Sequence, residues 1–213
     1  MTEINAFQTE QEDFWAGEFG NEYIDRNKHP KMFSAYVTIW SKIICRTSNI
    51  KSAIEFGSNV GYNLKAIHTL LPNIDISCVE INKKAVTYLK KLKFLDTIYN
   101  DSILNFKPEK KYNLSFTRGV LIHIDPDKLN ICYDLLYKSS DKYILIFEYY
   151  NPQPVEVLYR GNAKRLFKRD FAGEIMDKFS DLKLIDYGFT YHRDPNFCFG
   201  DSNWFLLKKG DKQ

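Results

Sequence analysis

Ala53-Ile54-Glu55-Phe56-Gly57-Ser58-Asn59-Val60-Gly61-Tyr62-Asn63 is the stretch on which the fold turns. A short apolar run from Ala53 to Phe56 reads as a strand. It breaks at Gly57, and a helical pattern follows from Asn63 to Leu71, where Pro72 stops it. Gly57 and Gly61 let the backbone pass close to a ligand with no Cβ in the way. Their spacing is GxxxG. It is not the GxGxxG that sets a helix N-terminus against a pyrophosphate, and the Lys-Ser/Thr of a P-loop is missing. Taken alone, the pair is equally well a tight strand-to-helix turn.

Downstream, strands and helices alternate. Ile74 to Val79 reads as a strand ending at Glu80, and Asn82 is placed to cap a helix reaching about Lys91. A weaker strand, Thr97 to Tyr99, ends at Asn100-Asp101-Ser102, and Tyr112 to Thr117 runs into Arg118-Gly119. Asp125 or Pro126 opens a helix to about Tyr137, and Tyr143 to Phe147 is the strongest strand, ending at Glu148. A helix over about Asp170 to Phe179 precedes strands at Leu182 to Thr190 and Trp204 to Lys208. Such alternation predicts an α/β fold with a mostly parallel seven-stranded sheet covered on both faces. The last two strands are joined by a loop alone, which suits antiparallel neighbours, so the last strand is expected to be antiparallel.

Upstream, Pro30 can open a helix whose Phe33, Val37, Trp40, Ile43 and Ile44 recur at spacings of three and four. Before it, Phe14 to Asn27 is dense in aromatic and charged residues and interrupted by glycines, which reads as a loop with short helical turns. The expected organisation is one domain over residues 1–213. Residues 1–50 form an N-terminal helical cap or lid, and residues 51–213 form the core.

Composition narrows the class. A formal charge of +3 gives no general nucleic-acid signal. The four cysteines, Cys45, Cys78, Cys132 and Cys198, form no CxxC pair, which argues against a zinc site or a disulfide framework and fits a reducing cytoplasm. The polar, acidic first residues are not a signal peptide, and the apolar runs are too short to span a bilayer. Aromatic residues reach 15 %, which suits either a site for a flat or sugar-like ligand or an aromatic-rich core.

In an open α/β sheet, ligands bind beyond the carboxyl ends of the strands. Glu80 closes the second strand 23 residues after Gly57, where a carboxylate can accept both hydroxyls of a ribose. Asp101, at the end of the third, can accept an adenine amino group. In this order Glu55-x-Gly57-x-x-x-Gly61, Glu80, Asp101 and the antiparallel end resemble the class I S-adenosylmethionine-dependent methyltransferases, over about residues 50 to 208. The resemblance implies a Rossmann-like sandwich with S-adenosylmethionine as cofactor and S-adenosylhomocysteine as product. Glu55 to Gly61, with Gly57, Ser58 and Asn59 between them, would then hold the methionine part, Glu80 the ribose and Asp101 the adenine. Asn63, Ile81, Ser102 and Arg118 would be further cofactor contacts. Phe116 to His123 resembles the segment that lies beside the transferable methyl in that family.

A closer likeness runs along nearly the whole chain. Phe14-Trp15-x-Gly-Glu-Phe-Gly-x-Glu-Tyr23-Ile-x-Arg26-Asn27, Gly119-Val-Leu-Ile-His-Ile, the Glu148-Tyr-Tyr-Asn-Pro run, Tyr159-Arg160-Gly161 and Arg165 to Gly173 together resemble the pseudaminic acid biosynthesis-associated methylases. That resemblance implies a small anionic acceptor, a nucleotide-linked or nonulosonic sugar, methylated on oxygen or nitrogen. Trp15, Tyr23, Arg26, Tyr149, Tyr150, Arg160 and Arg165 are the expected acceptor contacts. The basic cluster Arg160, Lys164, Arg165, Lys168 and Arg169 is either a solvated face or a clamp for phosphate or carboxylate.

His123 is the first candidate general base, since imidazole titrates near neutrality. Glu148 is its competitor, and the His192 and Asp194 pair lies in the late hairpin. No metal is expected, no membrane partner, and nucleic acid only as a less favoured acceptor. A nicotinamide dehydrogenase would want GxGxxG, and an amino-methylating nucleic-acid enzyme would want Asn/Asp-Pro-Pro-aromatic where this chain has Thr117-Arg118-Gly119. Methylation of another small molecule or of RNA, and cofactor binding without turnover, remain the alternatives.

Overall fold

The structure, a computed structural model, describes residues 7–26 and 33–210. Pro30, with its expected helix start, and Asn27 lie outside them. The elements in chain order are α1 (Glu10–Ala16), α2 (Glu18–Arg26), α3 (Phe33–Ile44), β1 (Ser52–Phe56), α4 (Tyr62–Leu70), β2 (Asp75–Val79), α5 (Lys83–Leu89), β3 (Leu95–Tyr99) and β4 (Tyr112–Arg118). They continue with α6 (Leu129–Ser139), β5 (Ser140–Glu148), β6 (Val155–Glu156), β7 (Phe167–Lys168), α7 (Phe171–Lys178), β8 (Leu182–Thr190) and β9 (Ser202–Lys209).

Seven strands form one sheet in the order β3-β2-β1-β4-β5-β9-β8. β3 to β5 are mutually parallel, and β9 runs antiparallel to both β5 and β8. The last strand therefore slots between its neighbours, and β3 and β8 form the edges. This is the Rossmann-like methyltransferase sandwich. The direction of winding reverses between β1 and β4, and that switch point opens a crevice at the carboxyl ends of the strands.

Alternation along the strands builds two cores. Ala53, Phe116, Leu145 and Phe147 face α3 and α4, whereas Ile54, Phe56, Ile144 and Ile146 face α6 and α7. Local signals set the helix starts. Asn82 Oδ1 accepts the Ala85 N–H at 3.0 Å, and Asp170 Oδ1 accepts the Gly173 N–H at 2.8 Å. Asp125 caps only a single 3-10 turn, Pro126–Lys128, and α6 proper begins after it. On α3 the buried face centres on Tyr36, Ile39, Trp40 and Ile43, with Phe33, Val37 and Ile44 at its flanks.

Two features depart from the sequence reading. The aromatic stretch before Asn27 is helical, as α1 and α2. A Thr9–Glu12 capping box starts α1, and the Gly17 N–H closes it on Asp13 O at 2.9 Å. Two-residue strands β6 and β7 also pair to form a small arm after β5. Strands that short leave no periodicity to read. Among the described residues, no helix is long and apolar enough to cross a membrane.

Trp40 links this core to the crevice. It is fully buried, packs edge-on against Phe116, and its Nε1–H donates to Asn63 Oδ1 at 3.0 Å. Trp40→Ala should cost about 3–5 kcal/mol of unfolding free energy through the cavity and the lost hydrogen bond. Denaturant titration would read this as a lower midpoint at nearly constant slope. Trp40→Phe should lose less, because it keeps most of the buried ring.

Candidate active site at the switch point

One cavity of about 320 Å³ occupies the crevice, within the range of small-ligand sites. Its floor is the β1–α4 turn. Gly57 has φ of 78°, and its N–H donates to Val79 O at 2.8 Å. A Cβ on Gly57 would meet Val120 Cγ2 at 2.5 Å, so only glycine lets this turn lie against the loop after β4. Gly61, also at positive φ, packs against Leu89 and Leu92 and does not line the cavity. Ser58, Asn59 and Asn63 do.

Glu55 ends β1 at 1 % exposure. Its Oε1 accepts Asn63 Nδ2–H at 2.6 Å, and its buried Oε2 has no partner. Burial pushes the carboxyl up to about 8, against the pull of Asn63 and of Arg118. Glu80, at the end of β2, is also buried. It accepts the Asn59 N–H at 2.6 Å on Oε2 and the Asn82 N–H at 2.8 Å on Oε1. Burial raises its pKa, and those backbone donors oppose the rise. Ile81 lines the cavity beside it.

Arg118 ends β4. Its guanidinium lies over the rings of Phe199, Tyr36 and Phe147, with centroids at 4.1, 4.8 and 5.3 Å. Nη1–H donates to Tyr36 Oη at 3.0 Å, while the buried Nε has no partner. An oriented guanidinium therefore faces the same cavity as the unsatisfied Glu55 carboxylate.

His123, Trp15, Tyr23 and Tyr149 line the same cavity. His123 Nδ1 lies 2.5 Å from Arg165 O. A carbonyl can only accept, so Nδ1 carries the hydrogen and Nε2 keeps its lone pair. The ring packs against Trp15, with centroids 4.5 Å apart, and Tyr159, at 5.0 Å. Burial pulls the imidazole down to about 4, so it is neutral near pH 7. Burial likewise raises the phenols of Tyr23 and Tyr149.

The structure does not bring every expected residue here. Glu148 lies behind the wall. Its carboxylate accepts N–H bonds from Val120, Leu121 and Ile122 at 3.0 to 3.4 Å, so it shapes the turn bearing His123 and does not line the cavity. Burial pushes it up to about 7 against those donors. Asp101 is exposed and accepts the Ser102 N–H at 2.7 Å; Ser102 lines the cavity, and Asp101 does not. Arg26 pairs with Glu22 at 2.9 Å on the outer side of α2. Tyr150 is 39 % exposed beside Phe205.

The basic cluster is likewise outside. Arg160 is exposed in the arm's turn at φ of 49°. Arg165 pairs with Glu10 at 3.2 Å and lies over Phe14, so its side chain joins arm to cap. Arg169 is paired with Glu174 at 3.0 Å. His192 pairs with Asp201 at 2.7 Å on the surface, and Asp194 accepts backbone N–H groups of its own loop.

Sequence reasoning missed Gln11 and Glu12, which line the cavity from α1, and Tyr36, which lines it from α3. The signal for Glu12 was present as Thr9-x-x-Glu12, a capping box. Among the described residues, no group of His, Cys, Asp and Glu could hold a metal ion.

No protein-family profile matches the chain, and no curated protein matches its sequence. Solved structures match its fold. The plantazolicin methyltransferase BpumL in complex with SAH is 14 % identical, with 94 % of each chain covered and a TM-score of 0.66. The magnesium protoporphyrin IX methyltransferase ChlM from Synechocystis PCC 6803 with bound SAM is 12 % identical, covering 97 % of this chain and 100 % of that one, at a TM-score of 0.68. The 1,6-didemethyltoxoflavin-N1-methyltransferase of Burkholderia thailandensis is 12 % identical, covering 94 % and 87 %, at 0.67.

His123 makes the fold acid-sensitive. The folded chain keeps it neutral down to about pH 4, whereas the unfolded chain takes up the proton near 6.5. The stability it confers is present above pH 6.5 and is lost as the pH falls from there toward 4. Between pH 7 and pH 5 the wild type should therefore lose about 2 kcal/mol more than His123→Gln, since each tenfold difference in proton affinity is worth roughly 1.4 kcal/mol. Urea unfolding at the two pH values checks this. Parallel losses in both proteins would contradict the buried neutral imidazole.

Proposed function

We propose that the chain is an S-adenosylmethionine-dependent methyltransferase that transfers a methyl group to oxygen or nitrogen of a small acceptor. The observation that carries this is the set of ionisable groups that line the cavity with an atom left unpartnered. Glu55 Oε2 lacks a partner and fits an ammonium, and Arg118 Nε lacks one and fits a carboxylate. Glu80, buried at the next strand end, has lone pairs left for a ribose diol. An amino acid joined to a nucleoside meets all three demands. The similar fold of methyltransferases crystallised with SAM or SAH supports the same reading. When bound, the cofactor supplies an electrophilic methyl group.

The chain's own residues then align and enclose. His123 Nε2 is the proton acceptor for the nucleophile, held in that tautomer by Arg165 O. Trp15, Tyr23 and Tyr149 exclude water from the acceptor end. Residues 1–213 act as one unit, with α1 and α2 as the lid. Free Cys45, Cys78, Cys132 and Cys198 suit a reducing cytoplasm.

For the acceptor, the likeness to pseudaminic acid-associated methylases favours a small anionic sugar, nucleotide-linked or nonulosonic. A second reading has an observation of its own. Aromatic rings of Trp15, Tyr23 and Tyr149 line the cavity, while Arg160 and Arg165 do not, which favours a flat aromatic acceptor. A panel of nucleotide sugars, free nonulosonic acids and hydroxylated aromatic acids, assayed for S-adenosylhomocysteine release, decides between them. Turnover on the sugars alone sustains the first, turnover on the aromatic acids alone sustains the second, and turnover only on RNA or protein refutes both.

Cofactor binding should depend on pH through Glu55. Its carboxyl, near 8 with the cavity holding no ligand, must ionise to meet an ammonium, so binding below pH 8 releases a proton. Affinity should rise by up to about tenfold per pH unit as the pH climbs toward 8. Calorimetry at pH 7 in buffers of different ionisation enthalpy should read close to one proton released by the wild type and none by Glu55→Gln. Glu80→Ala should weaken S-adenosylhomocysteine about 10- to 100-fold. Absence of any binding by the wild type would end the methyltransferase reading.

A further inference from the structure

The position of the base within the cavity follows from the sheet. Moving outward from the switch point the strands are β1, β2 and β3, and Glu55 and Glu80 close the first two. A nucleoside held by its ribose at Glu80 extends its base toward the end of β3. There Ser102 and Ile103 form one wall of the cavity, and Gln11 and Glu12 reach into it from α1. Asp101, the strand-end carboxylate, is exposed and does not line the cavity.

Glu12 is 5 % exposed, far more buried than a helix-capping carboxylate needs to be. Its Oε2 closes the capping box, accepting the Gln8 N–H at 2.7 Å and the Thr9 N–H at 2.9 Å. Its Oε1 accepts the Ser102 hydroxyl, which bonds the cap directly to the end of β3. A carboxylate oxygen can accept two hydrogen bonds, so Oε1 retains one free site at the cavity wall. Resting on the cofactor assignment above, we propose that Glu12 reads the exocyclic amino group of the adenine, so that base recognition comes from the cap helix. The nucleoside site is then complete only with α1 docked. Trp15, one turn further along the same helix, comes into place over His123 with it. Cofactor binding thereby assembles the acceptor end.

The test uses S-adenosylhomocysteine and S-inosylhomocysteine, which carries a 6-oxo group in place of the amino group. Calorimetry on the wild type should show a preference for the adenosyl ligand of about 10- to 100-fold. Glu12→Gln should bring that preference below about threefold, because its amide can donate to the 6-oxo group. Asp101→Asn should leave it unchanged. A wild-type preference in Glu12→Gln, or its collapse in Asp101→Asn alone, overturns the proposal. A second measurement needs no variant. Hydrogen exchange of residues 10–16 at ligand saturation should be slower with the adenosyl than with the inosyl ligand, and equal protection overturns the proposal too. Binding of neither ligand by the wild type removes the cofactor assignment itself, whereas tight binding of both without discrimination removes only the role of Glu12.

Discussion

A carboxylate at the end of β1 is buried almost completely and left with one oxygen unsatisfied, and much of the molecule is arranged around that fact. Placing an ionisable group in an apolar interior is costly unless it is paired. Glu55 is held from one side by Asn63, and Asn63 is held in turn by the indole of Trp40. That chain of two hydrogen bonds runs from the core under α3 to the cavity floor. It fixes the start of α4, and it ties the packing of the helical layer to the geometry of the site. The remaining oxygen has no partner within the chain, and the residue lines the cavity.

Two further buried carboxylates work differently. Glu80 accepts N–H groups from the turn after β1 and from its own turn after β2, so it holds two adjacent loops at a fixed separation. Glu148 accepts a run of N–H groups from the turn after β4 and fixes the shape of the segment that carries His123. Carboxylates at the ends of β1, β2 and β5 thus organise neighbouring loops across the sheet. Glu148 is engaged behind the wall, while Glu55 and Glu80 keep acceptor capacity facing inward. Acidic residues at strand ends look alike in a sequence. Their chemistry is separated by which backbone amides the turns present to them.

That separation marks what was legible in the sequence. The seven strands, the antiparallel last strand and the Asn82 cap follow from periodicity and from local side-chain chemistry, both of which lie within a few residues. The floor residues Glu55, Gly57 and Glu80 were legible because strand ends in this topology converge on one crevice. The division of the helical cap into α1 and α2, and the arm, were not. Helices α1 and α2 are short and glycine-separated, and their apolar residues pack on rings brought from Tyr159 and His123, more than a hundred residues away. The arginines misled for a related reason. A cluster of cations in sequence suggests an anion, yet Arg169 meets Glu174 on the following helix, and Arg165 meets Glu10 from the far N-terminal cap, which no local pattern would pair with it.

Arg165 contributes to the site through its backbone, and this bears on what His123 can do. The carbonyl fixes the imidazole as Nδ1–H, and burial lowers its basicity well below the ordinary value. Such a group cannot deprotonate a free alcohol in advance of reaction. On the proposed chemistry it does not have to. As the new bond to carbon forms, the attacking oxygen or nitrogen takes on positive charge and its proton becomes far more acidic than in the free acceptor. A weak, neutral, correctly oriented base can accept the proton at that stage, and its low pKa keeps it unprotonated and ready across the physiological range. A strongly basic histidine in the same place would be partly protonated at neutral pH. Its positive charge would then oppose the approach of a sulfonium within a cavity of low dielectric. On that chemistry, the burial that weakens His123 as a base also keeps a competing cation away from the reacting groups.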